Sequence, residues 1–298
     1  VSFQKESRTD VQFHLAALRG DCDRLRQLLD TGKVHIDSRD RDGTTPLILS
    51  AAMGHTECVR ELLAQGADPA CCRTTGTSAL FFAAQGGFLD IARLLLDCGA
   101  NIDGPSTDGG TPLFVACQCG HLPVVEELIR RGANVNSGMK DKATPLFIAA
   151  QNGHSEVCRA LLQAGAAVDA ARTDRATPLW IAAQCGHAPV ARELLPRGAN
   201  VDQCRQDGAT PLFKAAHKGH AAVVAELLPH RPALGLLPNG QSALHGAAMC
   251  GQLACVRLLA RRADRALRNC AGHTALQAAQ AHRRHDVVAY LRRLDQDS

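Results

Sequence analysis

The chain has 298 residues, 46% of them hydrophobic and 21% charged, with a formal net charge of +4. It contains no run of about 18 apolar residues, so the sequence predicts no membrane insertion. The small charge excess gives no reason to expect a nucleic acid as partner. The 13 cysteines are odd in number and match no disulfide framework, and no Asn-x-Ser/Thr sequon occurs. We therefore expect an intracellular, cytoplasmic protein, without excluding the nucleus.

A repeated segment organises the sequence. Thr-Pro-Leu, or Ser-Ala-Leu in one copy, recurs in steps of 33 residues from Thr45, Ser78, Thr111, Thr144, Thr177 and Thr210. A glycine keeps the same register at Gly54, Gly87, Gly120, Gly153, Gly186 and Gly219. A histidine follows that glycine in every copy but one, where Phe88 stands instead. Such self-similarity indicates a repeat architecture, in which each unit buries its apolar face against its neighbours.

The residue types predict two helices and a loop in each unit. Thr45 supplies an N-cap oxygen, and Pro46 suits the first helical position because its missing N–H has no partner there. Gly54 ends this short helix in a left-handed conformation. A second helix follows, with Val59 and Leu62 on its apolar face. From about Asp68 the chain runs as an extended, turn-rich finger to the next unit.

This pattern resembles the ankyrin repeat, whose Thr-Pro-Leu-His-x-Ala motif is matched except at the His. The resemblance implies an all-α ankyrin-repeat solenoid of stacked helix-turn-helix units with β-hairpin or loop fingers, forming a single domain over 1–298. About nine repeats are expected, at 8–41, 42–74, 75–107, 108–140, 141–173, 174–206, 207–238, 239–270 and 271–298. The first lacks Thr-Pro-Leu and the last has Arg283 where the glycine belongs, so we interpret them as N- and C-terminal caps.

Repeats seven and eight break the pattern. Repeat seven has Pro229 to Ala233 in place of Gly-Ala-Asn, and each of the two is one residue short. A proline at a helix end and a missing residue both alter stacking. Drift near a terminus and a functional bend are both open interpretations.

The sequence contains no catalytic or metal-binding motif. Phosphate-binding loops, His-Glu-x-x-His and Gly-x-Ser-x-Gly are all missing from it. Cys119-Gly120-His121 and Cys185-Gly186-His187 are two repeats apart, which does not suit the paired ligands of a zinc site. We interpret Cys58, Cys158 and Cys255 as small buried hydrophobes. The prediction is a protein that is not an enzyme and has no cofactor and no metal.

Two rows of residues depart from the repeat pattern. Aromatic side chains replace the motif's histidine in five successive units, at Phe81, Phe114, Phe147, Trp180 and Phe213. Four residues later, on the same helix face, come Gln85, Gln118, Gln151, Gln184 and His217. The resemblance implies that this second row and its neighbours Met53, Asn152, Cys185 and Lys218 line the concave groove where partners bind. Packing between helices and fingers is the alternative for the aromatics, and hydrogen bonding between repeats is the alternative for the glutamines.

The expected function is a non-enzymatic protein-interaction scaffold or adaptor, monomeric, that binds a partner protein or peptide on the concave face. The alternative is a substrate-recognition adaptor of an E3 ubiquitin ligase, although only four residues follow the last predicted helix. Nucleic acid binding stays a minor option, because we interpret the arginines after Leu253 as a solvated helix face. Asn136 lies eight residues after Leu128. Since the resemblance implies that asparaginyl hydroxylases act at this spacing, Asn136 is a candidate modification site.

Overall fold

The structure, a computed structural model, describes residues 7–238 and 240–296. The chain divides into two compact units, Val1–Lys140 and Asp141–Ser298. The described residues form helices and connecting loops, and the β-pairing recorded among them is an isolated bridge between Cys72 and Ser78. That the two units form one continuous domain stays a prediction.

The first unit contains four helix pairs. Its helices are α1 (Arg8–Arg19), α2 (Cys22–Asp30), α3 (Pro46–Met53), α4 (Thr56–Ala64), α5 (Ala79–Gly86), α6 (Leu89–Asp97), α7 (Pro112–Cys119) and α8 (Leu122–Arg130). The first helices of the pairs, α1, α3, α5 and α7, contact one another in sequence, and so do the second helices α2, α4, α6 and α8. The unit is therefore a two-layered stack, as the repeat predicts.

The second unit is built in the same way. Its helices are α9 (Pro145–Asn152), α10 (Ser155–Gln163), α11 (Pro178–Cys185), α12 (Ala188–Leu194), α13 (Pro211–Lys218), α14 (Ala221–Leu227), α15 (Ala243–Cys250), α16 (Leu253–Leu259), α17 (Ala275–Ala281) and α18 (His285–Gln296). Odd-numbered helices stack on odd, and even on even. The predicted all-α stack of helix pairs is confirmed within each unit.

The repeated threonine caps the first helix of a pair, as predicted. Thr177 Oγ1, for example, accepts a hydrogen bond from the backbone N–H of Trp180 at 3.2 Å. Ser78 and Ser242 replace threonine and make the same bond. The leucine two residues after the cap is fully buried, as at Leu80 and Leu179. Each cap thus fixes where a short helix begins, and the leucine anchors it in the core.

The histidine after the repeated glycine connects neighbouring repeats. His187 and His220 direct Nε2 at the backbone oxygens of Gln151 and Gln184, both at 3.0 Å. These carbonyls belong to the last turn of a first helix, where intrahelical partners are missing. A carbonyl can only accept, so each Nε2 carries the proton.

The same ring explains why the residue beneath it is glycine. Gly186 has a φ of +87°, and a Cβ placed on it would lie 2.6 Å from Nδ1 of His220. Where histidine is missing another side chain lies on the glycine, as Phe88 does on Gly54. The glycine is required both for its left-handed backbone and for the space above it.

Proline alone does not distinguish repeat seven. Pro196 and Pro229 each end a second helix in a 3-10 turn, although Pro196 belongs to a regular repeat. After these turns Gly198 takes the left-handed conformation in repeat six, whereas Arg231 does so in repeat seven, at φ +53°. The irregularity of repeat seven therefore includes a non-glycine residue held in a conformation that suits glycine.

Arginine–glutamate pairs connect second helices on the outer layer. An arginine of one repeat pairs with a glutamate one repeat later. The pairs are Arg26–Glu61 (2.8 Å), Arg93–Glu127 (3.5 Å), Arg159–Glu193 (2.8 Å) and Arg192–Glu226. Glu127 is the most buried carboxylate of this row and also bonds Arg130 and Arg131. These bonds hold its pKa down at about 2.

We predict that Gly186→Ala destabilises the protein more than Gly198→Ala. Both glycines have φ +87°, but a Cβ on Gly198 would meet nothing within 4 Å. Gly198→Ala therefore measures the left-handed strain alone, about 1–2 kcal/mol. Gly186→Ala adds the overlap with His220, and this added part should vanish when Gly186→Ala is made in a His220→Ala background. Urea unfolding of Gly186→Ala, Gly198→Ala, His220→Ala and the Gly186→Ala, His220→Ala double variant tests this, and equal losses for the two glycine changes would contradict it.

Replacing Glu127 by Gln should lower the melting temperature at pH 7 by about 2–4 °C. A carboxylate whose pKa is depressed in the folded state stabilises the fold above its ordinary pKa of 4.5, and loses this effect as the pH falls toward 2. The difference between wild type and Glu127→Gln should shrink across that window. Thermal melts from pH 7 down to about 2.5 measure it, and a gap independent of pH would refute the assignment.

Candidate functional site

The polar row comprises Gln85 and Gln118 in the first unit and Gln151, Gln184 and His217 in the second. Each lies in the last turn of a first helix. Gln85 and Gln118 are exposed, and the other three are half-buried. Within each unit, successive members lie on first helices that are in contact. The row is therefore accessible from solvent in both units.

Backbone carbonyls of the polar row are hydrogen-bonded within the protein, whereas side-chain amides of the row stay available to a partner. The carbonyls of Gln85, Gln151 and Gln184 accept from the histidine of the following repeat. The amides of the same three residues make no hydrogen bond to another residue of the described chain. Hydrogen bonding between repeats thus uses the histidine and the glutamine backbone. These three side chains do not form the amide ladder considered as the alternative.

The predicted neighbours of the polar row are accessible. Met53 has 51% of its surface exposed in the first unit. Asn152, Cys185 and Lys218, in the second unit, are exposed as well. Apolar, amide, thiol and cationic groups therefore adjoin the row in different repeats.

Most of the aromatic row lies in the interior. Phe114, Phe147, Trp180 and Phe213 are exposed by 8% or less, and Phe81 is half-buried. This burial favours the packing interpretation for the first four side chains. Phe81 is the one with surface left for a partner.

Trp180 joins its first helix to the next finger. Its indole Nε1–H donates to the backbone oxygen of Ala209 at 2.8 Å, and Ala209 directly precedes the cap Thr210. Arg205 and Lys214 lie over the same ring, at 5.2 and 5.6 Å from its centre. Trp180 therefore has both a hydrogen-bonding role and a packing role.

Two histidines that sequence reasoning did not single out make the equivalent bond. His14 Nε2 lies 3.1 Å from the Thr44 oxygen, and His245 Nε2 lies 3.0 Å from the His273 oxygen. His245 is buried, which lowers its pKa. Its signal was present in the sequence, because His245 keeps the histidine of the family motif where five earlier repeats have an aromatic residue. Phenylalanine at this position has no N–H to donate.

Charged finger residues cover the buried aromatics of the second unit. Arg172 lies 5.3 Å from the centre of the Phe147 ring. Asp174 bonds Arg172 Nη2 at 2.7 Å and Arg205 Nε at 2.9 Å. These cations hold the Asp174 pKa well below its ordinary value. Neighbouring fingers are thus joined by a charge network and by single backbone hydrogen bonds, such as that from the Gln206 N–H to the Asp174 oxygen at 3.0 Å.

His217 ends the polar row in a basic setting. Its ring stacks on Phe213 with 5.9 Å between centres. Burial lowers the His217 pKa, and nearby Lys214 and Lys218 lower it further. Near neutral pH it is therefore a neutral hydrogen-bonding group, as the glutamines are.

A shallow cleft of about 340 Å³ adjoins Phe81, Phe82 and Phe114 in the first unit. Gly110 stands here at the position that Ala143, Ala176 and Ala209 occupy later in the sequence. A Cβ on Gly110 would lie 3.9 Å from both Phe81 and Phe114. The missing methyl group helps to leave the Phe81 ring accessible.

Metal ligands are not clustered in the part of the chain that the structure describes. Among residues 7–238 and 240–296, no group of three or more His, Cys, Asp or Glu could hold a metal ion. The 13 cysteines all fall in these ranges and are free thiols. Cys58, Cys158 and Cys255 are buried, as predicted, and burial raises their pKa to about 12, 12 and 11. Within the same ranges no helix is long and apolar enough to span a bilayer.

Asn136 is exposed on a finger, and its hydroxylation stays a prediction. Its backbone N–H donates to the Asn134 side chain at 3.0 Å. The corresponding residue in other repeats is an aspartate, such as Asp169. The Asp169 carboxylate accepts the backbone N–H of Asn200 in the next repeat at 3.1 Å.

The sequence and this architecture together define the class of protein. The family model described as Ankyrin repeats (3 copies) matches residues 13–105, 103–174, 167–235 and 230–297. The chain belongs to the ankyrin-repeat family, whose repeats are a general protein-interaction module.

Individual relatives match shorter segments. Ankyrin repeat domain-containing protein 29 of Homo sapiens is 47% identical over 68 residues, which is 23% of this chain and 23% of that protein. The protein of the same name from Danio rerio is 49% identical over 68 residues, with the same coverage. E3 ubiquitin-protein ligase KEG of Arabidopsis thaliana is 36% identical over 55 residues, 18% of this chain and 3% of that protein. The matched segments therefore span less than a quarter of these relatives.

Trp180→Phe should lower the free energy of unfolding by about 0.5–1.5 kcal/mol, because the Ala209 carbonyl loses the indole donor but still accepts the Arg205 backbone N–H at 3.1 Å. Trp180 is the only tryptophan, so its indole proton gives a single NMR signal. That proton should exchange slowly with solvent in the wild type. A rapidly exchanging indole, or a Phe variant as stable as the wild type, would show that the bond does not matter.

Proposed function

We propose that this chain is a non-enzymatic interaction module that binds a segment of a partner protein along the part of the polar row in its second unit, on the face that the ankyrin resemblance makes concave. The observation that carries the proposal is the hydrogen bonding of Gln85, Gln151 and Gln184. Their carbonyls are bonded within the stack and their side-chain amides are not.

A primary amide suits recognition of an extended segment. It offers an oxygen acceptor and an N–H donor, which match the N–H and C=O groups of a peptide backbone. Gln151 and Gln184 lie on α9 and α11, which are in contact. The second unit therefore presents two such amides on successive repeats, with His217 continuing the row on α13.

Surroundings of the row supply selectivity. In the second unit the exposed residue next to it changes from Asn152 to Cys185 to Lys218. Backbone recognition by the shared amides and side-chain recognition by these neighbours would together define the bound sequence. The buried aromatics act beneath this surface by holding the fingers against the first helices.

The role of ubiquitin-ligase adaptor has no separate support. The similarity to the plant ligase covers 3% of that protein's length. This chain shares only a short repeat segment with the ligase. Binding of a partner segment is the function common to both interpretations.

To test the proposal, peptides are selected from a display library on the purified chain, and their affinities are measured for two matched variants. Gln151→Glu with Gln184→Glu replaces the amide donors by carboxylates and should weaken binding roughly tenfold or more. Gln163→Glu with Gln296→Glu adds the same charge on exposed positions of α10 and α18 and should leave the affinity unchanged. Circular dichroism confirms folding of both.

Two results would contradict the polar row as the binding surface. One is a set of peptides that bind Gln151→Glu, Gln184→Glu as tightly as the wild type. The other is a larger loss of affinity in the control variant than in the row variant.

A further inference from the structure

The last two repeats have no glutamate at the outer-layer position where Glu193 and Glu226 stand, as is already the case at Leu94 and Ala160. Glu193 and Glu226 each pair with an arginine of the preceding repeat. Their position is taken by Leu258 in α16 and by Tyr290 in α18. Arg257 therefore faces the Tyr290 ring, 5.7 Å from its centre, where its counterparts Arg159 and Arg192 face carboxylates.

A groove of about 900 Å³ lies at this point of the second unit, between α16 and α18. Four arginines line it, namely Arg257, Arg261, Arg262 and Arg293, and its lining contains no Asp or Glu. All four are exposed, and none has an ion pair with another described residue. Four positive charges thus converge without a counter-charge in the groove, which favours an anionic ligand.

The floor of the groove is apolar. Leu258, Tyr290 and Leu294 are half-buried and lie among the arginines. The surface therefore combines an apolar floor with a cationic rim. Such a surface is complementary to a chain that alternates apolar and negatively charged side chains.

We propose that this arginine groove binds an acidic segment of a partner protein, separately from the polar row. The guanidinium groups bind carboxylates in paired hydrogen bonds, and apolar side chains of the same segment cover Leu258 and Tyr290. A protein segment fits better than a nucleic acid. A phosphate backbone would leave the apolar floor uncovered, and the groove offers one aromatic ring for base stacking.

The experiment uses the full chain and a fluorescein-labelled peptide in which Glu and Leu alternate, compared with a peptide in which Gln replaces Glu. Fluorescence anisotropy should show binding of the Glu peptide that weakens between ~0.05 and ~0.3 M salt, because exposed charges are screened. Arg257→Gln with Arg293→Gln removes one arginine from each wall. It should weaken the Glu peptide roughly tenfold.

A matched control removes two cations elsewhere. Arg8→Gln with Arg19→Gln removes two exposed arginines of α1 that have no ion pair with a described residue. This variant should bind the Glu peptide as the wild type does. The comparison separates a local site from a general effect of net charge.

A label reports the site directly, since Tyr290 is the only tyrosine and Trp180 the only tryptophan. In protein containing 3-fluorotyrosine, the single ¹⁹F signal should shift on adding the Glu peptide, whereas 5-fluorotryptophan should not respond.

Four results would each overturn the proposal: an unmoved tyrosine signal at saturation, undiminished binding to Arg257→Gln with Arg293→Gln, equal binding of the Gln peptide, or tighter binding of an oligothymidylate. None of them bears on the polar row, so the two proposals fail independently.

Discussion

The stacking of repeats depends on one contact, the side chain that lies on the glycine of the preceding repeat, which is an imidazole in most repeats. His187 and His220 show it fully in the second unit, where each ring covers a left-handed glycine and meets a carbonyl of the same helix end. His121 makes the same contact with Gly87 and Gln85 in the first unit. Because one side chain both fills the space above the glycine and satisfies an orphan carbonyl, it fixes the separation and the register of neighbouring first helices.

This arrangement explains how a repetitive scaffold leaves side chains for recognition. Backbone groups at the helix ends are bonded within the stack, so the glutamine amides need not serve it. On the outer layer, arginine–glutamate pairs join four neighbouring pairs of second helices, whereas Leu258 and Tyr290 leave the last two repeats without this carboxylate. In the second unit the polar row lies on first helices, whereas the arginine groove lies on second helices. Each surface forms where side chains are not used in the bonds that hold neighbouring repeats together.

Local features of the fold could be predicted from single residues. The caps at Thr45 and Thr177, the left-handed Gly54 and the buried Cys158 follow from rules that act within a few positions. Whether the aromatic row is buried or exposed could not be predicted in this way, because the burial of Trp180 depends on a finger some 29 residues further along the chain. The bonds of His14 and His245 were missed for the same reason, although the motif carried a sign of them.

The candidate surfaces were predictable to different degrees. The polar row follows from the repeat period, because side chains at equivalent positions of stacked repeats lie on one face. The arginine groove does not, since its walls come from α16 and α18 and its cationic character comes from missing glutamates. Aligning the second helices of the repeats shows that Leu258 and Tyr290 replace glutamate. The apolar floor between the arginines becomes visible only when the helices are packed.

The histidine contact can be tested directly by NMR of protein labelled with ¹⁵N at histidine. If His55, His121, His187 and His220 donate to carbonyls of the preceding repeat, their rings carry the proton on Nε2, and that proton exchanges slowly with solvent. Rings protonated on Nδ1 alone, or Nε2 protons that exchange as fast as those of a free histidine, would contradict the account.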